Sequence, residues 1–204
     1  MNLTDLDTQV FYWINQHHCA VSDWILWTLS QGWSWAIVLV ALLCVSTLRY
    51  EAKRLWLVLI GIGLCFLLAD RISVLCFKNV FCRLRPCHVL EDVRMFRTSC
   101  GGSYGFVSSH AANVFALATF LSMRYRRVVS EYMKNKFRQK KKAALSPTAL
   151  GVLIFGWAVL VGYSRPYLGK HFPGDVVCGA MLGLLIGMAI FFTIQLIENK
   201  IVNK

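Results

Sequence analysis

Five apolar stretches dominate this sequence, and each is about as long as a helix that crosses a lipid bilayer. A spanning helix needs roughly 20 consecutive, mostly apolar residues. The stretches lie near residues 24 to 48, 55 to 77, 106 to 123, 148 to 163 and 175 to 197. The two shortest leave room for a tilted or partly broken helix. The sequence therefore predicts an all-α integral-membrane bundle of about five spans.

The residues before the first stretch follow a different pattern. Between residues 1 and 20, apolar side chains recur at helical spacing among polar ones. This pattern predicts an amphipathic helix that is too polar to span the bilayer and lies along its interface. The segment lacks the basic start, apolar core and small-residue cleavage site of a signal peptide, so we expect it in the mature protein.

Composition supports a membrane protein with one domain. Of the 204 residues, 57% are hydrophobic and 16% are charged, and the mean hydropathy is +0.54. Such a chain is too apolar for an ordinary soluble domain. Because five spans use nearly all of it, we expect a single domain over residues 1–204.

The distribution of charge predicts how the bundle is oriented. Nine of the 22 Lys and Arg residues lie between Arg124 and Lys142, directly after the third stretch. Such clusters mark cytoplasmic loops, so the net charge of +12 does not point to nucleic acid. The first 23 residues hold no Lys or Arg, which predicts the opposite side for them. The loops 78–105 and 164–174 then share that non-cytoplasmic side.

These two outer loops and the helix ends beside them carry three sets of polar residues. The sets are Lys78 with Arg85 and Pro86, then Ser108, Ser109 and His110, and finally Ser164 and Arg165 with His171 and Asp175. Each set lies at the non-cytoplasmic end of an apolar stretch, so three helix ends can form one pocket. Three cations and two histidines in that pocket imply an anionic substrate.

The spacing of these residues resembles the three-part signature of the type 2 phosphatidic acid phosphatase (PAP2) superfamily. The pattern Lys, six residues, Arg-Pro appears as KNVFCRLRP from Lys78 to Pro86, and Ser-Arg, five residues, His, three residues, Asp appears as SRPYLGKHFPGD from Ser164 to Asp175. The middle element, Pro-Ser-Gly-His, reads Val-Ser-Ser-His at residues 107–110. It keeps the serine, which can still cap the helix of the third span, and the histidine. The signature region, 78–175, covers about half of the chain.

The resemblance implies a metal-independent phosphatase that works through a phosphohistidine, with no cofactor. His171 is the implied nucleophile, Asp175 orients its imidazole, and His110 protonates the leaving oxygen and later activates water. The implied phosphate-binding residues are Lys78, Arg85, Ser108, Ser109 and Arg165. Lys170 is a further candidate contact, with simple solvent exposure as the alternative. The pair Asp70 and Arg71 either supports the site or forms a structural ion pair.

The family also implies the kind of substrate and the location. We expect a phosphorylated lipid in a bacterial inner membrane, hydrolysed on the periplasmic or exterior face. The leading candidates are undecaprenyl diphosphate and a phosphate of lipid A, and the alternatives are phosphatidic acid and phosphatidylglycerol phosphate. The expected partners are this lipid and the membrane, with no nucleic acid. The sequence leaves the oligomeric state open.

Two other functions compete with this expectation. A vanadium-dependent haloperoxidase has a similar anion site, but five spans argue against it. A non-catalytic phosphate-binding protein or anion transporter would not need the complete set of His110, His171 and Asp175.

The cysteines of the first outer loop raise a separate question. Cys82, Cys87 and Cys100 all lie in that loop. A disulfide between Cys87 and Cys100 is conceivable if the loop faces an oxidising compartment.

Overall fold

A computed structural model describes residues 2–43, 54–134 and 146–202 of the chain. The helices in these ranges are α1 Leu3–Gln16, α2 Ala20–Leu29, α3 Gly32–Leu43, α4 Leu55–Ile72, α5 Asn79–Phe81, α6 Pro86–Val89, α7 Ser109–Lys134, α8 Pro147–Tyr167 and α9 Pro173–Val202. A π-helical turn, Ser73–Lys78, connects α4 to α5. The prediction of an all-α fold is confirmed.

Helix α7 forms the centre of the bundle, and α9, α8 and α4 pack around it. Three glycines spaced four residues apart on α9 let this helix approach the backbone of α7. A Cβ atom on Gly179 would lie 2.5 Å from the carbonyl oxygen of Ser108, and one on Gly187 would lie 2.5 Å from that of Ala116. The third glycine, Gly183, meets α7 in the same way. Small residues at such positions are typical of closely packed membrane helices.

Within the described ranges, three helical segments are long and apolar enough to cross a membrane: Leu55–Phe81, Pro147–Tyr167 and Pro173–Ile201. The pair α2 and α3 would make a fourth span if it is a single broken one. Helix α7 has 26 residues, about 39 Å at 1.5 Å per residue, but its polar and charged residues lower its hydropathy. We count it as the fifth crossing because its neighbours separate it from lipid, and an interior helix need not be apolar.

The first predicted span is not one straight helix. Helices α2 and α3 meet at an angle of 69°. Side chains satisfy the backbone carbonyls that the break releases, since Trp35 Nε1 donates to Leu29 O at 2.8 Å and Ser30 Oγ donates to Trp27 O at 2.8 Å. The stretch predicted to begin near residue 24 therefore begins earlier, at Ala20, and contains a break after Leu29. Its predicted end at residues 44–48 lies outside the described residues.

Helix α1 begins with a capping box between Asn2 and Asp5. Its apolar side buries Phe11 and Ile14, which are 0% and 7% exposed, against the ends of α8 and α9. Asn15 fixes the far end of the helix, because its Nδ2 donates to Tyr167 O at 2.9 Å. The predicted amphipathic helix is present, and it is docked beside the ends of the spanning helices that carry the predicted site.

At the other end of the bundle, a buried ion pair joins α7 to α9. Arg124 Nη1 and Nη2 donate to the two carboxylate oxygens of Glu198, at 2.5 Å each. The two side chains are 5% and 1% exposed. Together with the glycine contacts, this pair holds α9 against α7 along most of their shared length.

Candidate active site

The predicted nucleophile and its carboxylate lie together at the start of α9. His171 is in the short turn between α8 and α9, and Asp175 is in the first turn of α9. His171 Nδ1 lies 3.5 Å from Asp175 Oδ2, and the two side chains are 2% and 0% exposed. A Cβ atom on Gly105 would lie only 2.9 Å from Asp175 Oδ2, so this loop position requires glycine. The pair is enclosed by protein.

Burial and charge keep the His171 imidazole neutral. Its pKa is well below the ordinary value of 6.5, first because the ring is buried and then because Arg165, Arg85 and Lys78 lie nearby. A neutral imidazole has a free nitrogen lone pair at neutral pH. Since Asp175 faces Nδ1, the free lone pair belongs on Nε2.

Lys78 and the two serines hold the start of α7 in place. Lys78 Nζ donates to Ser109 Oγ at 2.8 Å, which ties the end of the π-helical turn to α7. Ser108 Oγ accepts from Ala111 N at 3.4 Å, so the predicted cap is present. The Ser108 N–H also donates to the carbonyl oxygen of Asp175 at 2.9 Å. These contacts bring the first and second sets of predicted residues beside the third.

Arg85 is fixed by the backbone of the first outer loop. Its Nη1 donates to Cys100 O at 3.1 Å and its Nε donates to Tyr104 O at 3.3 Å. The conceivable disulfide is present: Cys87 and Cys100 are bonded, so a covalent link holds the loop on which Arg85 depends. Burial lowers the pKa of Arg85.

Arg165 is a buried cation with no acidic partner in the described ranges. It is 2% exposed, and its Nε has no hydrogen-bond partner. His110 lies close enough to four other residues for their charges to act on it: Arg165, His171, Lys170 and Lys78. The five side chains therefore share one region of the protein. Lys170 is half-buried, and burial, with Arg165 and Arg85 nearby, lowers its pKa to about 8. An unpaired buried cation is costly, so a site of this kind suits an anion.

The structure adds a residue that the sequence analysis missed. Arg83 Nη1 donates to Asp175 Oδ1 at 2.7 Å, and Arg83 Nη2 donates to Asp7 Oδ2 at 2.7 Å. Arg83 occupies a position that the family pattern leaves free. One signal could have identified it. Residues before a proline favour extended backbone, and side chains two residues apart in extended backbone point to the same side. The Arg83 side chain is therefore expected on the same side of the chain as that of Arg85.

Two other groups of residues form neither an ion pair nor a free metal site within the described residues. Asp70 and Arg71 are both exposed, and in the described part of the chain no ion pair joins them, so the ion-pair alternative was wrong. Asp70 does act on the charge of Lys78. Cys87, His88 and Cys100 lie close enough together to hold a metal ion, but the disulfide uses both sulfur atoms.

The chain matches the model of the PAP2 superfamily over residues 65–198. This range includes all the predicted site residues, and it extends beyond the signature region on both sides.

Two curated relatives are similar along most of this chain. One is a lipid A 4'-phosphatase of Porphyromonas gingivalis, 28% identical over 192 residues, which are 93% of this chain and 73% of the relative. The other is a lipid A 4'-phosphatase of Bacteroides thetaiotaomicron, 28% identical over 194 residues, with 93% and 77% covered. A third relative, phosphatidylglycerophosphatase B of Bacillus subtilis, is 32% identical over 102 residues, 48% of this chain and 41% of its own.

Solved structures show the same fold. The crystal structure of Aquifex aeolicus LpxE superposes with a TM-score of 0.59 at 22% identity, covering 93% of this chain and 98% of that one. The transmembrane PAP2-type phosphatidylglycerolphosphate phosphatase from Bacillus subtilis superposes with a TM-score of 0.65 at 20% identity, covering 98% and 87%.

Proposed function

Because the chain belongs to the PAP2 superfamily, we propose that it removes a phosphate from lipid A through a phosphohistidine on His171. The chain is a membrane protein and a lipid phosphatase of the cell-envelope kind, like its relatives. The particular lipid and the role of each residue are our proposal. The observation that supports the proposal best is the convergence of two histidines and several incompletely paired cations at one end of the bundle.

In the first step, His171 Nε2 attacks phosphorus and the bond from phosphorus to the lipid oxygen breaks. His110, which takes up a proton as the anionic phosphate binds among the cations, gives that proton to the leaving oxygen, so the lipid leaves as a neutral alcohol. The Asp175 carboxylate faces Nδ1, the far side of the ring, and stabilises the positive charge that the imidazole gains. For a diphosphate substrate, the leaving group would instead be the lipid monophosphate.

In the second step, water attacks the phosphohistidine and releases inorganic phosphate. His110, now neutral, takes the proton of the attacking water, and the bond between Nε2 and phosphorus breaks. Both histidines return to their starting states. All the groups that this cycle requires belong to the protein or to water.

The cations bind the phosphate oxygens and stabilise the charge that spreads over them in both steps. Arg165 supports this role best, since no carboxylate in the described ranges neutralises it. Among the residues that the structure describes, Arg85 donates only to backbone carbonyls and Lys78 only to a hydroxyl, so both keep their charge for a ligand. The backbone N–H groups at the start of α7, beside Ser108 and Ser109, add further donors.

We favour lipid A as the substrate because two lipid A 4'-phosphatases are similar over 93% of this chain. Undecaprenyl diphosphate is the second candidate. Phosphatidylglycerol phosphate and phosphatidic acid follow, since phosphatidylglycerophosphatase B is similar over only 48% of the chain. Arg124, Arg126 and Arg127, the first residues of the basic cluster, lie at the opposite end of the bundle from His171, which favours a periplasmic or exterior site in a bacterial inner membrane.

The test is phosphate release by the purified protein in detergent with a chelator. Lipid A, undecaprenyl diphosphate and phosphatidic acid are offered separately, with His171→Ala as the control. We expect the highest kcat/KM for lipid A and no release by the control. Release that persists in His171→Ala contradicts the phosphohistidine. No release of phosphate from any lipid, together with anion uptake into sealed vesicles, would favour a transporter.

A further inference from the structure

We infer that Arg83, anchored by Asp7 of α1, is a positioning residue for Asp175 and makes α1 a working part of the catalytic site. The inference rests on the proposed function, in which Asp175 orients His171. It concerns two residues to which the family signature assigns no role: Arg83, at a free position of the first motif, and Asp7, in the N-terminal helix.

The guanidinium of Arg83 bridges two carboxylates with different nitrogens. Nη1 donates to Asp175 Oδ1 and Nη2 donates to Asp7 Oδ2, both at 2.7 Å. Its central carbon also lies 4.2 Å from the centre of the Phe172 ring. The planar group is therefore held on two edges and one face. A lysine has a single ammonium on a flexible chain and could not reproduce this fork.

This bridge determines which oxygen of Asp175 faces the nucleophile. Arg83 occupies Oδ1, whereas Oδ2 accepts from Phe172 N at 3.1 Å and lies 3.5 Å from His171 Nδ1. Rotation of the carboxylate would break the bond with Arg83. The Asp175 side chain is 0% exposed, and a buried carboxylate needs a partner cation to stay ionised. Arg83 thus supplies both the orientation and the countercharge.

Asp7 connects this arrangement to α1. Its second oxygen, Oδ1, accepts from the N–H of Gly174 at 2.7 Å, at the start of α9. The same carboxylate therefore holds Arg83 and the backbone one residue before Asp175. A Cβ atom on Gly174 would lie 2.9 Å from Asp7 Oδ2, so the approach is close. Removing Asp7 should loosen Arg83 without touching the substrate.

Arg85 provides the contrast that makes the role of Arg83 measurable. In the described ranges Arg83 has two carboxylate partners and Arg85 has none, so Arg85 is available to phosphate and Arg83 is not. A substitution of Arg85 should raise KM. A substitution of Arg83 should lower kcat with KM almost unchanged, because its effect reaches the reaction only through Asp175.

The experiment compares Arg83→Gln, Asp7→Asn and the double variant with the wild type, using the best of the three lipids in the phosphate-release test. Arg97→Gln is the matched control, because Arg97 lies in the same loop but stacks over Trp24, 4.2 Å from its ring centre. We expect Arg83→Gln to lower kcat roughly 10- to 100-fold. Asp7→Asn should lower kcat less, and the double variant should be no worse than Arg83→Gln, since the two residues act in series.

Several results would overturn the inference. Wild-type kcat in Arg83→Gln would do so, and so would a raised KM at unchanged kcat, which would make Arg83 a phosphate ligand. A fall in melting temperature with unchanged kcat would leave it only a structural role. If Arg83→Gln does not fold, kcat is measured instead in Asp7→Asn and in Arg83→Lys, which keeps the charge. A wild-type kcat in both variants would also overturn the inference. Activity in His171→Ala would instead contradict the proposed function itself.

Discussion

His171 Nδ1 and Asp175 Oδ2 face each other at 3.5 Å inside the protein, slightly farther apart than a hydrogen bond. In the described ranges Nδ1 has no hydrogen-bond partner of good geometry, although the Gly105 backbone lies near the ring. Catalytic hydrogen bonds are often long without substrate and shorten in the reacting complex. The pair is thus arranged for a contact that strengthens as the ring becomes positive.

Asp175→Asn tests this relationship. The amide keeps the size of the side chain but cannot balance the charge of the imidazolium. We expect kcat to fall roughly 100- to 1,000-fold, with phosphate binding nearly unchanged. Rapid-quench measurement of phosphoenzyme formation checks this, and a normal rate of formation would show that the carboxylate has no part in the attack.

The pKa of His171 predicts an unusual acid limb. Because burial and the nearby cations lower that pKa well below 6.5, the nucleophile stays neutral in mildly acidic solution. We expect kcat/KM to fall only at a pH below 6.5. Arg85→Gln removes one of the cations, so its acid limb should move to higher pH. A wild-type limb centred at or above pH 6.5, or one that Arg85→Gln does not move, would contradict this.

The pKa of Lys170, about 8, predicts a basic limb. Lys170 is charged below that pH and loses its charge as the pH rises through it. If the ammonium helps to hold phosphate, kcat/KM should decline above pH 8. Lys170→Gln should lower kcat/KM at pH 7 by about tenfold, the usual effect of losing a charged hydrogen bond, and should lack this limb. If the pH dependence of kcat/KM is the same in Lys170→Gln as in the wild type, Lys170 does not contact the phosphate and is simply solvent-exposed.

The disulfide should matter through Arg85. Replacing both Cys87 and Cys100 by alanine frees the loop whose Cys100 carbonyl oxygen accepts from Arg85 at 3.1 Å. We expect KM to rise roughly three- to tenfold. A reducing agent should have the same effect on the wild type and none on the double variant. Reduction that lowers the activity of both proteins equally would point to a cause other than this bond.

Packing between α7 and α9 predicts a difference between two glycines. A Cβ atom on Gly183 would meet the backbone of α7, whereas nothing lies within 4 Å of one on Gly156. Gly183→Ala should therefore lower the free energy of unfolding by about 1–3 kcal/mol. Gly156→Ala, in exposed helix, should raise it by up to about 1 kcal/mol. Thermal unfolding in detergent measures both, and equal effects would contradict the close approach of the helices.

The sequence predicted the parts of the site that depend on local spacing. His171 and Asp175 are four residues apart at the start of a helix, and the ordered motifs bring Lys78 and Arg165 to the same end of the bundle. The apolar stretches likewise predicted the helices α4, α8 and α9. These features follow from chain geometry and the length of a bilayer crossing, and both can be read without tertiary contacts.

The features that the sequence did not predict depend on distant contacts. Asp7 and Arg83 are separated by 76 positions, so only the docking of α1 brings them together. The break between α2 and α3 depends on Trp35, which lies in the first turn of α3. Its indole N–H donates to the carbonyl oxygen of Leu29 at the end of α2. Hydropathy alone underrates α7, because some of its polar residues, such as Thr119 and Arg124, are buried against other helices instead of facing lipid.

The glycine contacts between α9 and α7 also have a kinetic consequence. Where two backbones touch directly, no layer of side chains remains that could slide or repack, and sliding of packed helices normally depends on such a layer. We therefore expect the start of α7, with Ser109 and His110, and the start of α9, with Asp175, to keep their relative position during turnover. On that expectation the lipid supplies the motion, by diffusing within the leaflet and bringing its phosphate to histidine and carboxylate groups whose spacing is already set.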